Sequence, residues 1–245
     1  MSDWDQFGAA YDHSHFADRP RTYLIASTPR SGSHYLGHLL FGTGEFGSPL
    51  EYFHPGHMAT WKKTLEAADT EAVIRCLFVR RTSPSGWFGV KAHWSDFAPI
   101  CEDPALLRFI DLRKYIRIVR RDTLSQAISL ALARQTGAWI SFHSQQRKPV
   151  YDPAAIRAAV AEIEAQTSGW DAFFREHGIA PIEIAYEDLL ADPGATVDAI
   201  RASFDLDARP ASVASDLCPQ RQASAINLEW RRRYIDDLRK LETLP

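Results

Sequence analysis

The stretch Thr22–Leu40, TYLIASTPRSGSHYLGHLL, constrains the fold more than any other part of the chain. Thr22–Ala26 is a short apolar run with aromatic and β-branched members, long enough for one buried strand. Leu36, Leu39 and Leu40 fall at helical spacing, which places the start of a helix near Ser33. Between them lies Ser27–Ser33, a turn of small residues with one glycine and one arginine. A strand, a tight turn and a helix in this order make an anion site, because the turn N–H groups and the helix N-terminus converge with partial positive charge. Gly32 lets backbone approach closely, Ser31 and Ser33 add hydroxyl donors, and Arg30 adds a fixed charge. An ordinary helix cap accounts for Ser33 but not for arginine, serine and glycine together in one turn. A Walker loop ends in Gly-Lys-Ser/Thr; here Gly32 is followed by Ser33 and His34, so the lysine and the metal-binding hydroxyl are both missing. The pattern suits a phosphate-bearing donor other than a nucleotide triphosphate held with magnesium.

A second basic site follows the next alternating β-branched run but one. Tyr115–Val119 reads as a strand that runs into Arg120-Arg121-Asp122-Thr123, with Asp122 or Thr123 capping a helix that carries Leu124, Ile128, Ala131 and Leu132 on one face. Ser125 and Ser129 share a face of that helix. In an open α/β sheet, ligands bind beyond the carboxyl ends of strands, so the two loops share one rim. Together they imply a donor with two separated phosphate groups.

Elsewhere, Trp87–Trp94 reads as a further strand ending at Lys91 and His93, and Pro181–Tyr186 as a fourth. Residues 60–79 read as helical, a helix runs from Asp152 with Ile156, Val160, Ile163, Trp170 and Phe174 on a core-facing stripe, and another starts near Pro193. Prolines bracket residues 48–55, which favours a functional loop or short helix there. Trp139–Tyr151 reads as a polar and aromatic lid or substrate loop. Strands alternating with helices predict an α/β fold, a P-loop-type three-layer arrangement with a central parallel sheet. We divide the chain into an N-terminal arm, 1–21, and an α/β domain, 22–245.

Over 245 residues, 45% hydrophobic and 24% charged content are ordinary for a soluble protein, and a net charge of −3 gives no overall bias toward nucleic acid. Cys76, Cys101 and Cys218 are too dispersed for a disulfide framework or a zinc pattern, which points to the cytoplasm. The early acids of the N-terminus are unlike a secretory signal, and no apolar segment has the length of a membrane span. His54 and His57 are three apart, but no carboxylate or cysteine set completes a metal site, so none is expected.

TPRSGSHYL paired with RRDTLSQAIS resembles the two cofactor signatures of sulfotransferases that use 3′-phosphoadenosine 5′-phosphosulfate, or PAPS. Closer still, residues 30–33 (RSGS), 48–53 (SPLEYF), 89–94 (GVKAHW), 125–129 (SQAIS) with 135–139 (QTGAW), and Arg221-Gln-Ala followed by 229–234 (EWRRRY) resemble the bacterial trehalose 2-sulfotransferases. The resemblance spans most of residues 22–235, in order, and implies a sulfotransferase-like fold. By it, loop 28–34, including His34, would bind the 5′-phosphosulfate, Arg120 and Ser129 the 3′-phosphate, and Arg221 would approach the donor from the tail. Glu51 falls on the family's proposed catalytic base; Pro49 fixes its approach, and aromatic neighbours are expected to raise its pKa. Arg30 would stabilise charge on the leaving phosphate, and Lys91 is a possible helper. Ser48 stands where the family has an acidic residue, and Arg121 where it has proline. The implied acceptor is a hydroxyl of a sugar, glycolipid or smaller molecule, and the implied assembly a homodimer, for which Trp230–Tyr234 offers contact chemistry. The alternatives are a P-loop-type nucleotide-dependent kinase and a non-catalytic carbohydrate- or nucleotide-binding module.

Overall fold

The computed structural model describes residues 5–139, 147–206 and 225–242. Arg21–Ser27 forms strand β1, buried at every position after Arg21. A strand buried on both faces belongs to the middle of a covered parallel sheet, and β1 is central. The sheet has four strands in the order β2-β1-β3-β4, with β2 at Trp87–His93, β3 at Leu112–Val119 and β4 at Ile182–Ala185. All pairings are parallel, with Ile25 opposite Lys91 on one side and Ile116 on the other. The parallel three-layer α/β arrangement expected from the alternation of strands and helices is what forms.

Helices cover both faces. Tyr23, Ile25, Ile116, Ile118 and Ile184 pack against α1 (Ser33–Gly42) and α9 (Pro193–Ser203), with the short α8 (Tyr186–Ala191) between β4 and α9. Leu24, Ala26, Phe88, Val90 and Ala92 face the other way, toward α2 (Pro55–Thr64), α3 (Thr70–Arg81), α4 (Trp94–Cys101), α5 (Pro104–Ile110) and the C-terminal half of α7 (Pro153–Glu176). A third cluster joins α6 (Thr123–Thr136), α7 and α10 (Ala225–Glu242). At roughly 1.5–3 kcal/mol per fully buried large apolar side chain, these faces explain why the predicted stripes form helices at all.

The differences from expectation are local. Residues 60–79 are two helices, α2 and α3, and α4 and α5 fill a stretch that carried no helical reading. Gly32, which has no side chain, occupies the cap position of α1, and Ser33 is its first helical residue. Trp230 and Tyr234 are buried against α6 and α7, so these two aromatics are spent inside the chain and do not form the contact surface expected of them. The arm is pinned to the domain: Asp12 pairs with Arg80 and with the fully buried Arg81, each at 2.8 Å.

The order of connections decides where a site can form. The chain leaves β1 toward β2 and leaves β3 toward β4, so the connections diverge between the carboxyl ends of β1 and β3. Such a switch point opens a crevice, and both predicted anion-binding loops emerge there.

Candidate active site

The turn after β1 adopts a shape that its sequence only partly announces. Arg30 has φ 63° and Gly32 φ 93°, both left-handed. At Gly32 a Cβ would come within 2.3 Å of the Tyr186 ring, so only glycine fits. Gln126 of α6 holds the turn from behind, donating to Thr28 Oγ1 at 2.8 Å and Pro29 O at 2.7 Å. The α1 N-terminus has no side-chain cap and no acidic residue in its first turn. Ser31 is fully buried, and its hydroxyl has no hydrogen-bond partner among the described residues. An uncapped helix start beside an orphan hydroxyl is what an anion would satisfy.

Arg30 crosses the crevice: Nε donates to Ser129 Oγ at 2.9 Å, and Nη1 to the Trp139 carbonyl. Arg120, at the end of β3, directs Nη1 at Arg30 O, 3.4 Å away, and stacks over the Tyr186 ring at 4.7 Å. Burial and then the facing Arg120 pull Arg30 down to about 10, so it remains charged at neutral pH. The like charge of Arg120 disfavours the charged form of Arg30, and an anion bound in the crevice would favour it. Arg121 turns away to the surface and pairs with Asp188 at 2.5 Å. Ser125 belongs to another network: it donates to Asp122 Oδ2 at 2.8 Å and accepts from Arg231 Nη1 at 2.9 Å, so Ser125 and Ser129 serve different partners. A cavity of about 120 Å³ opens beside Thr28, Arg120 and Trp170. It is below the roughly 300–1,000 Å³ of small-molecule pockets and admits part of a ligand.

Glu51 enters from loop 48–54. Leu50 bridges to Val90, and Pro49 lies where a Cβ on Gly89 would meet it at 2.8 Å, so the loop lies directly on β2. Tyr52 and Phe53 are buried as anchors, leaving Glu51 partly exposed at the rim. Lys91 Nζ is 2.6 Å from Glu51 Oε1, and His93 Nε2 is 3.6 Å from the same oxygen. Burial raises the carboxyl pKa, but Lys91 and then His93 more than offset it and hold Glu51 well below the usual carboxylate range. This reverses the expected upward shift: the aromatic neighbours are present, and a buried cation outweighs them. Lys91 is itself buried, 3% exposed, so its charge is directed at Glu51 rather than at solvent. His34 sits well below its ordinary value through burial and then Lys91, so it is neutral at pH 7.

Ser48 is buried, and its hydroxyl donates to Tyr11 O at 2.5 Å, so it offers the rim nothing. Arg221 lies outside the described residues, as do 140–146 of the expected lid. Among the described residues, no three His, Cys, Asp or Glu side chains gather where a metal could be held. The sequence assigns no role to Tyr186, Gln126 or Arg231: Tyr186 at the carboxyl end of β4 is findable by the strand-end rule, and Gln126 and Arg231 lie in the motifs SQAIS and EWRRRY, but their partners are set by packing.

Comparison with known proteins matches residues 22–98 and 99–237 to the model of the Stf0 sulphotransferase family. The chain is 30% identical to a trehalose 2-sulfotransferase of Mycobacterium tuberculosis, covering 87% of this chain and 94% of the relative. It is 28% identical to nodulation protein H of Rhizobium meliloti, covering 90% of each. Among solved structures, it matches a sulfotransferase domain from the curacin biosynthetic pathway at TM-score 0.46 and 17% identity, covering 80% of this chain and 77% of that one.

Proposed function

The chain belongs to the Stf0 sulphotransferase family, and from that premise we propose that it moves a sulfuryl group from PAPS to a carbohydrate or glycolipid hydroxyl, with Glu51 as base. That it is a sulfotransferase follows from the family. The observation that carries the donor assignment is the orphan Ser31 hydroxyl at the uncapped start of α1, with Arg120 reaching the Arg30 carbonyl across the β1/β3 crevice. These residues fit a ligand with two anionic ends. The loop of Arg30, Ser31, Gly32, Ser33 and His34 would take the phosphosulfate end, and Arg120 with Ser129 the 3′-phosphate. Arg221 belongs to the same reading. Bound there, the donor supplies an activated sulfuryl group and a phosphate leaving group.

The protein's part is positioning and charge. Arg30 and the loop N–H groups stabilise negative charge building on the leaving phosphate oxygen. Glu51, ionised at neutral pH, takes the proton of the acceptor hydroxyl, and neutral His34 can donate one hydrogen bond without adding charge. Relatives named trehalose 2-sulfotransferase favour a sugar-type acceptor. Since the Ser48 hydroxyl is committed to Tyr11, acceptor recognition at this loop falls to Glu51 and its flanks. A cytoplasmic setting fits the free thiols Cys76 and Cys101. A homodimer, if formed, would cover the exposed Leu228 and Leu238 of α10.

Two results are expected. Saturation with 3′-phosphoadenosine 5′-phosphate at 100 times its Kd stabilises the fold by about 2.7 kcal/mol, which for a chain of this size raises Tm by roughly 5–11 °C. ATP with magnesium should give markedly less in the same scan; equal shifts would turn the reading toward a kinase-like nucleotide site. Arg120→Ala should weaken that ligand by about 1.5–3 kcal/mol, the worth of a charge-assisted hydrogen bond. Arg121→Ala, which removes an exposed ion pair, should change it by less than about 1 kcal/mol. Calorimetric titration of both variants checks the ranking, and the reverse order would shift the site by one residue.

A further inference from the structure

Lys91 has almost no contact with water and lies on a strand whose other side chains are mostly apolar. A buried ammonium persists only when paired, and its partner is Glu51, with Nζ 2.6 Å from Oε1. The same oxygen faces His93 Nε2 at 3.6 Å, while His93 Nδ1 meets Ser27 Oγ at 3.0 Å. Among the described residues no donor contacts Oε2. The backbone is fixed as well: Lys91 N donates to Leu50 O at 3.0 Å, and His57 Nδ1 to Glu51 O at 2.9 Å. The carboxylate is therefore anchored through one oxygen and open at the other.

We infer that Lys91 is a positioning residue for the transfer: by anchoring Oε1 it presents Oε2 as the atom that takes the acceptor's proton. The inference rests on the carboxylate-base reading above. In the step so positioned, the acceptor O–H bond breaks and its proton passes to Oε2. The acceptor oxygen bonds to sulfur, and the sulfur–oxygen bond to the 5′-phosphate breaks with its electron pair left on that phosphate oxygen. The proton then leaves to solvent through the exposed part of the Glu51 side chain.

Anchoring also sets the pH range of the base. The groups facing the pair are His34 and His38 from α1, His54 and His57 around the start of α2, His93 at the end of β2, and Asp96 from α4. Burial lowers His34, His38, His57 and His93, so at neutral pH Lys91 is the full positive charge that keeps Glu51 ionised.

The test is Lys91→Met, which keeps the length and removes the charge. With PAPS and a turned-over acceptor, wild-type kcat should vary less than about twofold from pH 8 to pH 5.5, because Glu51 is ionised throughout. Lys91→Met should lose at least about tenfold over that interval, since a buried carboxyl without its cation titrates higher. Lys91→Arg should restore the flat profile, which a merely space-filling role would not require. Binding of 3′-phosphoadenosine 5′-phosphate should stay within about threefold of wild type. An unchanged pH profile in Lys91→Met overturns the inference, as does a large loss of ligand affinity with the profile intact, which would assign Lys91 to the donor. Absence of any PAPS-dependent turnover in the wild type would instead sink the functional reading. Should Lys91→Met fail to fold, carbon-13 NMR of wild-type glutamates decides: Glu51 must remain ionised at about pH 4, where ordinary glutamates titrate.

Discussion

Glu51→Gln is expected to lower kcat by about 10²–10⁴-fold, the usual contribution of a placed general base, while binding of 3′-phosphoadenosine 5′-phosphate stays nearly unchanged. The acceptor hydroxyl holds its proton at neutral pH, so the new bond to sulfur can form only as that proton leaves. Glutamine keeps the shape and the hydrogen bond to Lys91 but cannot accept a proton. The substitution also leaves the buried Lys91 ammonium without the counter-charge of Glu51, its ion-pair partner among the described residues at 2.6 Å. Breaking a fully buried pair destabilises by about 3–5 kcal/mol; Glu51 is one quarter exposed, so the loss here should be smaller. Thermal unfolding of the variant therefore accompanies the kinetics. The linkage has a definite sign: a folded-state carboxyl held below its unfolded value contributes stability that is present above the ordinary glutamate pKa and lost as pH falls below it. Near-normal kcat in a folded Glu51→Gln, with chemistry limiting the rate, would remove Glu51 as base.

Arg30→Gly should produce a folded protein with a crippled donor site. The ligand should bind about 10–150-fold more weakly, the equivalent of about 1.5–3 kcal/mol for a charge-assisted contact. A further loss of about 10²–10³ in kcat is expected if Arg30 stabilises the developing phosphate charge as an oxyanion donor does. Glycine is the informative replacement because Arg30 sits at φ 63°, where a non-glycine residue carries a conformational penalty of about 1–2 kcal/mol. Removing that penalty, together with the repulsion from Arg120, should leave the empty fold close to wild type in stability despite losing the bonds to Ser129 and to the Trp139 carbonyl. A strained residue whose removal spares stability and abolishes function is strain retained for the site. Ligand affinity within threefold of wild type would remove Arg30 from the donor contacts.

Lys91 and Glu51 show where sequence reading stopped. The sequence marks both, Lys91 as a strand-end helper and Glu51 as a loop carboxylate, forty positions apart. Their contact depends on Leu50 bridging to Val90, and no periodicity reports a pairing between a loop and a strand that far along the chain. The sign of the Glu51 shift went wrong for the same reason: the aromatic neighbours are adjacent in sequence, whereas the cation that outweighs them is adjacent only in space. Trp230 and Tyr234 were read as surface chemistry because a tail helix shows no partner until α6 and α7 are in place. The short α4, with Pro99 inside it, gave no periodic signal strong enough to place a helix.

What the sequence determined by itself is local: a strand, turn and helix over Thr22–Leu40 with glycine at the turn, a cap at Asp122 or Thr123, and strands alternating with helices. Those follow from torsional preference and apolar period, which act over a few residues. Tertiary structure alone decided the strand order β2-β1-β3-β4, the crevice that sets Arg120 beside Arg30, the Tyr186 ring that forbids any side chain at Gly32, and the ion pair that fixes the charge of Glu51. Each of these depends on which distant surfaces exclude water together, and burial is a property of the assembled layers rather than of any segment within them.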